Sequence, residues 1–283
     1  MDRLSSLFSR FTPTARVFHS GQLCQTVNFY PEGDVGYLHL LRAGPLTVVA
    51  DASAVMELTE PSVLFYPRPC GHQLCAPDNG ADLLCATVEL GSGSQNPLTH
   101  ALPTVVVLPL RELPTLGPAL ELLFAEGLAS QCGRQAALDR LMEYVLIQLL
   151  RHLLDNSEQT NGLLAALADP RLARAVTAMH ERPAEAWTLE ALALEAGMSR
   201  AGFARHFRET VNMTPLDYLT RWRIGVAQSH LLRGKSIKAV ARDVGYQSQA
   251  TLSRVFAQRC GMSPSRWLEA QRRLPRAEQT QCN

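Results

Sequence analysis

Between about Ala15 and Leu110, short apolar or alternating runs are separated by turns rich in Gly, Pro and Asp; examples are Tyr37-Leu-His-Leu-Leu, Pro45-Leu-Thr-Val-Val and Val63-Leu-Phe-Tyr. Successive strand residues face opposite sides of a sheet, so runs of this length and spacing predict short strands arranged as a small β-barrel or jelly roll. From Pro114 to about Asp155 the period becomes helical. Leu138, Leu141, Met142, Val145, Leu149 and Leu153 form one broad apolar stripe, widened by Leu146 and Leu150. A stripe of that width suits a helix that covers the barrel, a helix that pairs two subunits, or both. The polar, turn-rich stretch Asp155-Asn-Ser-Glu-Gln-Thr-Asn-Gly162 reads as a linker, and Leu163 to Met179 opens a second, helical domain.

The region from Trp187 to Leu268 says nearly the same thing twice. Gly197 recurs as Gly245 at an offset of 48 residues; Ser199 recurs as Ser248 at 49, with Gln247 as the added residue. The register resumes in Met213-Thr214-Pro215 against Met262-Ser263-Pro264, so this is a duplicated structural unit. Each copy predicts helix, tight turn, helix. Thr188 and Ser236 are N-caps, and apolar residues follow at helical spacing (Leu189, Leu192, Ala193; Ile237, Val240, Ala241). Gly197 and Gly245 suit the left-handed residue that ends a helix, and Ser199 and Ser248 cap the next. On that second helix Phe203 and Phe207, or Leu252 and Phe256, face inward. Ala201, Ala204, Arg205 and Arg208, or Ala250, Ser253, Arg254 and Ala257, face outward. This is a helix-turn-helix, whose second helix enters a DNA major groove, where an arginine can offer two donors to guanine O6 and N7.

On these residues (Met198-Ser199, Phe203, Arg205, Phe207, Met213-Thr-Pro215, Arg223, Gly245-Tyr246, Ser248, Phe256 and Met262-Ser-Pro264) the region resembles the AraC/XylS family of transcription regulators. The resemblance implies two helix-turn-helix subdomains, at about 188–208 and 236–257, joined by one long helix at about 215–232. It also implies docking in adjacent major grooves of a promoter. The family often has Gly where Asn212 stands, and Asn tolerates a left-handed backbone nearly as well. Ala201 and Ala204 cannot hydrogen-bond a base, which leaves Arg205, with Arg200 and Arg208, to act for the first subdomain. Gln249, Thr251 and Arg254 act for the second.

Charge sharpens the division. Residues 171–283 hold 18 Lys and Arg against 9 Asp and Glu, whereas the rest holds 9 against 17, so a chain of net charge +1 hides a basic C-terminal half. That is the footprint of nucleic-acid binding, and the N-terminal half lacks it. No apolar run approaches the ~18 residues of a membrane span, and the first residues lack the apolar core of a signal peptide. Seven cysteines without a regular framework fit a reducing compartment, so a cytoplasmic protein is expected.

The cysteines cluster. Cys24, Cys70, Cys75 and Cys85 fall near His39 and His72, with Cys70-Gly-His72-Gln-Leu-Cys75 packing three soft ligands together; Cys132, Cys260 and Cys282 stand apart. Free cysteines are commonly buried as small hydrophobes, and reactivity needs access and a lowered pKa. On Gly21-Gln-Leu-Cys24, Tyr30-Pro31, Leu38-His39-Leu40, Gly44 and Phe65-Tyr-Pro67…Gly71-His72, the N-terminal half is similar to the cupin-type ligand domain of one branch of AraC-like regulators. Metal-binding cupins carry a paired His-x-His with a Glu and a later His. Only His39 and His72 stand here, so no metal and no cofactor is expected. The resemblance includes regulators that answer reactive chlorine species, and it implies Cys24, His39, His72 and Cys85 as the sensor set, with Cys70 and Cys75 as possible partners. His19, His100, His152, His180, His206 and His230 lack partners at ligand spacing and read as surface or satisfied histidines.

The expected protein is a multidomain α+β chain. Residues 1–155 form a cupin-like β-barrel sensor with cover or dimer helices, 156–168 a linker, and 169–283 an all-α DNA-binding domain. Its expected partners are double-stranded promoter DNA, a second copy of itself and, for an activator, RNA polymerase. No phosphate loop, Gly-x-Ser-x-Gly or His-Glu-x-x-His motif argues for an enzyme. Two alternatives stay open: a regulator answering a small molecule or metal in the barrel lumen, and a metal-dependent cupin enzyme fused to a DNA-binding module.

Overall fold

The structure, a computed structural model, describes residues 4–9, 11–31, 33, 35–50, 54–91, 97–156 and 162–273. Part of the expected linker, residues 157–161, and Cys282 lie outside them. The chain divides into two compact units: Pro13–Glu89 with Leu102–His152, and a second assembled from Met1–Thr12, Leu90–Ala101 and Leu153–Arg276.

The first unit is built from nine strands: β1 (Thr14–Leu23), β2 (Thr26–Phe29), β3 (Gly36–Ala43), β4 (Leu46–Ala50), β5 (Ala54–Leu58), β6 (Ser62–Tyr66), β7 (His72–Cys75), β8 (Ala81–Glu89) and β9 (Val106–Pro109). They pair in antiparallel fashion as a five-stranded sheet, β1-β8-β3-β6-β9, and a four-stranded sheet, β2-β7-β4-β5. This corrects the barrel expected from the strand spacing, because among the described residues no ladder joins the two sheets. What holds them is the apolar alternation itself. Tyr37, Leu41, Leu64, Tyr66, Leu83 and Cys85 of the larger sheet share one buried cluster with Leu46, Val48, Leu58 and Leu74 of the smaller.

The intervening residues of the larger sheet are buried as well; Leu38, Leu40, Val63, Phe65 and Ala86 expose nothing. Helices α3 (Gly117–Leu128) and α4 (Arg134–Asp155) lie against β1. The Ser20 hydroxyl donates to the Gly127 carbonyl (3.1 Å). Where the register of β1 slips between Val17 and His19, α4 supplies both backbone partners of Val17. Asp139 Oδ1 accepts from its N–H (2.8 Å), and Gln135 Nε2 donates to its carbonyl (2.7 Å). The stripe Leu138, Met142, Val145, Leu146, Leu149 and Leu150 is fully buried within the chain.

The second unit is helical. It contains α1 (Ser5–Phe8), α2 (Pro97–Ala101), α5 (Leu163–Ala168), α6 (Pro170–Glu181), α7 (Leu189–Ala196), α8 (Arg200–Val211), α9 (Pro215–Leu232), α10 (Ile237–Asp243), α11 (Gln249–Cys260) and α12 (Pro264–Arg273). The local chemistry of the duplication is met at each cap. Thr188, Ser199, Ser236 and Ser248 accept from the N–H of Ala191, Gly202, Ala239 and Thr251 respectively. Gly197 (φ 64°) and Asn212 (φ 59°) end their helices left-handed. The core is aromatic: His180 stacks on Trp222 (3.7 Å between centroids), and its Nε2 meets the Tyr218 hydroxyl at 2.6 Å. Phe11, from the far N-terminus, completes the stack with its edge on Trp222 (5.0 Å).

Candidate nucleic-acid interface and sensor cluster

In the helical unit, α7–α8 and α10–α11 are the two helix-turn-helix pairs. Phe203 and Phe207, and Leu252 and Phe256, are fully buried, which turns the opposite faces outward. Arg205, Arg208, Gln249 and Arg254 are exposed, and Thr251 is half-buried with its hydroxyl 3.0 Å from that of Ser248. Among the described residues no ion pair holds Arg205, Arg208 or Arg254. Arg200 differs: its Nε lies 2.9 Å from Glu190 Oε1.

Two motif residues turn out to set the geometry between the pairs. The Arg223 guanidinium donates to the Pro183 and Glu185 carbonyls, each at 2.7 Å, and lies over the Tyr246 ring. A Cβ on Gly245 would fall 2.6 Å from the Ala184 carbonyl oxygen. One loop before α7 is thereby clamped from α9 and from the turn after α10, which couples the two subdomains. Burial lowers the Arg223 pKa, and the charge interaction with Tyr246 opposes this.

In the sheet unit, His39 of β3 and His72 of β7 meet across the two sheets, Nε2 to Nε2, at 2.9 Å. The tautomers follow from the partners. His72 Nδ1 lies 3.0 Å from the Cys70 carbonyl, which can only accept, so the proton sits there. A neutral His72 then has a bare Nε2, which accepts from His39 Nε2–H and leaves His39 Nδ1 as a buried acceptor without a hydrogen-bond partner. Both rings are neutral near pH 7. Burial, then the neighbouring His72 and His19, hold the His39 pKa well below its ordinary value. Burial lowers His72 to about 4, against the Cys70 hydrogen bond. The His72 ring is sandwiched between Phe29 (4.7 Å) and Tyr66 (4.1 Å), and His39 stacks on Tyr37 (6.0 Å).

Cys85 belongs to this cluster. It is 2% exposed and stands opposite His39 on one side and His19 on the other. His19 is the residue the sequence spacing missed; only the β1–β8–β3 pairing puts it in this row. Cys24 is not brought to the pair. It is exposed, past the end of β1, with its sulfur against the turn at Gly80. Since His19 pairs with Cys85 and Leu23 with Ala81, Cys24 lies about five residues, or roughly 15 Å, along the ladder from Cys85. Cys70 is half-buried beside His72, whereas Cys75 is turned to the other face of β7, its thiol near Gln73 Oε1 (3.4 Å). Among the described residues no group of three or more His, Cys, Asp or Glu side chains could hold a metal ion.

Two facing sheets with an inward histidine pair, and a helical unit with duplicated helix-turn-helix pairs, define a two-part class that joins a cupin-like domain to a DNA-binding one. The comparisons agree: residues 2–155 match the family described as Cupin, and residues 192–270 the Helix-turn-helix domain. The chain is 32% identical to a putative AraC-like transcription regulator of Streptomyces lividans over 79% of this chain and 72% of that one. It therefore belongs to the AraC-like transcription regulators with a cupin domain. A putative AraC-like regulator of Streptomyces antibioticus is 42% identical over 44% of this chain, and the match spans only 42% of that relative's length. The RCS-specific HTH-type transcriptional activator RclR of Escherichia coli K12 is 28% identical over 83% of this chain and 85% of its own. No described helix is long and apolar enough to cross a membrane.

Proposed function

We propose that the chain is a cytoplasmic transcription regulator that reads double-stranded promoter DNA with Arg205 and Arg254, and whose cupin unit responds to an oxidant acting on cysteine. The observation that carries the sensing half is the row His19–Cys85–His39, continued across the sheets to His72. Hypochlorous acid converts a thiol to a sulfenyl chloride with loss of water, and hydrolysis of that gives a sulfenic acid and HCl. A polar oxygen on Cys85 would stand in an aromatic-lined core opposite His39, whose bare Nδ1 offers it a hydrogen-bond acceptor. Such a group is expected to shift β8, whose chain runs on into Leu90 and Gly91, which belong to the helical unit.

Cys24 and Cys85 act separately in this reading, because a disulfide needs Cα atoms within about 7 Å. Similarity to RclR, named as RCS-specific, supports the oxidant. The proposal keeps a homodimer and contact with RNA polymerase as its partners. It moves subunit pairing off the buried stripe of α4, to the side where Tyr144 is exposed. The unpartnered His39 Nδ1 favours a second reading, a small molecule that donates to that nitrogen from between the sheets.

One experiment divides them. Wild type, Cys24→Ser, Cys85→Ser and the double variant are treated with hypochlorous acid, and DNA binding and sulfur modification are read by gel shift and mass spectrometry. Loss of response in Cys85→Ser, with an oxygen adduct on Cys85 in wild type, is the expected result. A full response in the double variant sinks thiol sensing and leaves the ligand reading.

A further inference from the structure

The two helix-turn-helix copies differ at a charge pair that joins their two helices. In register, Glu190 of α7 corresponds to Lys238 of α10, and Arg200 of α8 corresponds to Gln249 of α11. The first copy therefore carries an ion pair, Arg200 Nε to Glu190 Oε1 at 2.9 Å, where the second carries an exposed lysine beside a neutral glutamine. Elsewhere Glu209 of α8 stands where α11 has Gln258, and Arg242 of α10 stands where α7 has Leu194. Glu195 and Asp243 occupy equivalent positions, and each is already held by a cation from outside its own helix, Arg182 (2.7 Å) and Lys235 (2.9 Å).

Both members of the Glu190–Arg200 pair are mostly exposed, at 60% and 66% of their side chains. An exposed pair contributes almost nothing to stability. Its consequence falls on DNA instead. The first helix of a helix-turn-helix crosses the phosphate backbone, and the start of the second lies at the groove edge, so a cation at either place holds phosphate whatever the sequence. A carboxylate bonded to Arg200 takes the place a phosphate oxygen would occupy.

We propose that Glu190 is a specificity-setting residue: it acts as a built-in phosphate mimic that quenches Arg200 and keeps the first subdomain from binding DNA of any sequence. Unselective affinity then comes from the second subdomain, through Lys238 and through Arg242, whose contact with Asp243 is long at 3.8 Å, and the first engages where Arg205 finds its base. This rests on the DNA-binding reading above.

The test uses the full chain and a short duplex pool of randomised sequence, titrated over a range of salt. Glu190→Gln is expected to tighten binding about 3- to 10-fold and to steepen the log–log salt dependence by about 0.9, the value of one added phosphate contact. Arg200→Gln alone is expected to change little, since its charge is already spent. In the Arg200→Gln background the gain from Glu190→Gln should vanish, which separates quenching of that arginine from a general loss of negative charge. Moving the pair to the second subdomain, with Lys238→Glu and Gln249→Arg together, should weaken random binding several-fold. The proposal is overturned if Arg200→Gln weakens random binding as much as Lys238→Gln does, or if Glu190→Gln gains equally with and without Arg200. Wild-type protein that ignores the duplex pool at every salt concentration overturns the DNA-binding reading, and this one with it.

Discussion

Acid should loosen the sheet unit before it reaches the usual carboxylate range, and the histidine pair sets how much. His72 has a folded-state pKa of about 4 against an ordinary 6.5, because burial between Phe29 and Tyr66 penalises the imidazolium. The unfolded chain binds a proton there below pH 6.5 while the folded chain does not until about pH 4. The neutral ring's stabilisation is therefore complete above 6.5, declines as pH falls, and is exhausted near 4. At ~1.4 kcal/mol per pH unit, the fall from pH 6.5 to 5 removes about 2 kcal/mol. His39, shifted in the same direction, adds to the loss. The assay is urea denaturation across this range, with peptide-resolved hydrogen exchange to separate β3, β6 and β7 from the helical unit, where buried His180 (about 3) titrates similarly. His72→Phe keeps a ring in the stack and removes the titrating nitrogen, so it should flatten the slope in these strands by about one proton. An unchanged slope in that variant, or a His72 ring resonance titrating near 6.5 in wild type, would refute the reasoning.

Arg254→Ala and Arg205→Ala should each weaken binding to selected DNA by about 1–3 kcal/mol and relax preference at one base position; equal weakening on random duplex would make that arginine a phosphate contact. Phe11→Ala should destabilise the helical unit by about 3–5 kcal/mol, since the ring is 1% exposed and seated edge-on against Trp222. Tryptophan fluorescence during urea unfolding reads this, and an unchanged midpoint would show that the N-terminal segment does not brace the unit.

Legibility followed locality. Capping, left-handed termination and the inward aromatics of the duplicated pairs depend on residues within one or two turns, and the four hydroxyl caps and Asn212 stand as their neighbours dictate. The apolar stripe of α4 showed burial but left open against what. In the sheet unit, His39 and His72 could be singled out, whereas their contact depends on two strands from different sheets. His19 carries no such signal, because a row across three strands leaves no spacing in the sequence. Cys24 was grouped with Cys85 by resemblance, and strand register sets them apart. The Glu190–Arg200 pair was visible as two charges, but nothing in the spacing said they touch.

The composition of the helical unit follows from the same distinction. Charge and polarity mark a change near residues 156–168, yet neither reports who fills the core. Phe11 and Leu98 are at most 1% exposed, and both lie in segments grouped with the DNA-binding helices. Gly91 shows how closely these segments fit: it adopts φ +100°, and a Cβ there would meet the Phe11 Cβ at 2.6 Å. Glycine is thus required twice, once for backbone conformation and once for contact. β1 begins just after Phe11 and β8 ends just before Leu90, and Thr14 pairs with Glu89. His19 and Cys85 therefore lie on the two strands whose outer ends adjoin Phe11 and Gly91.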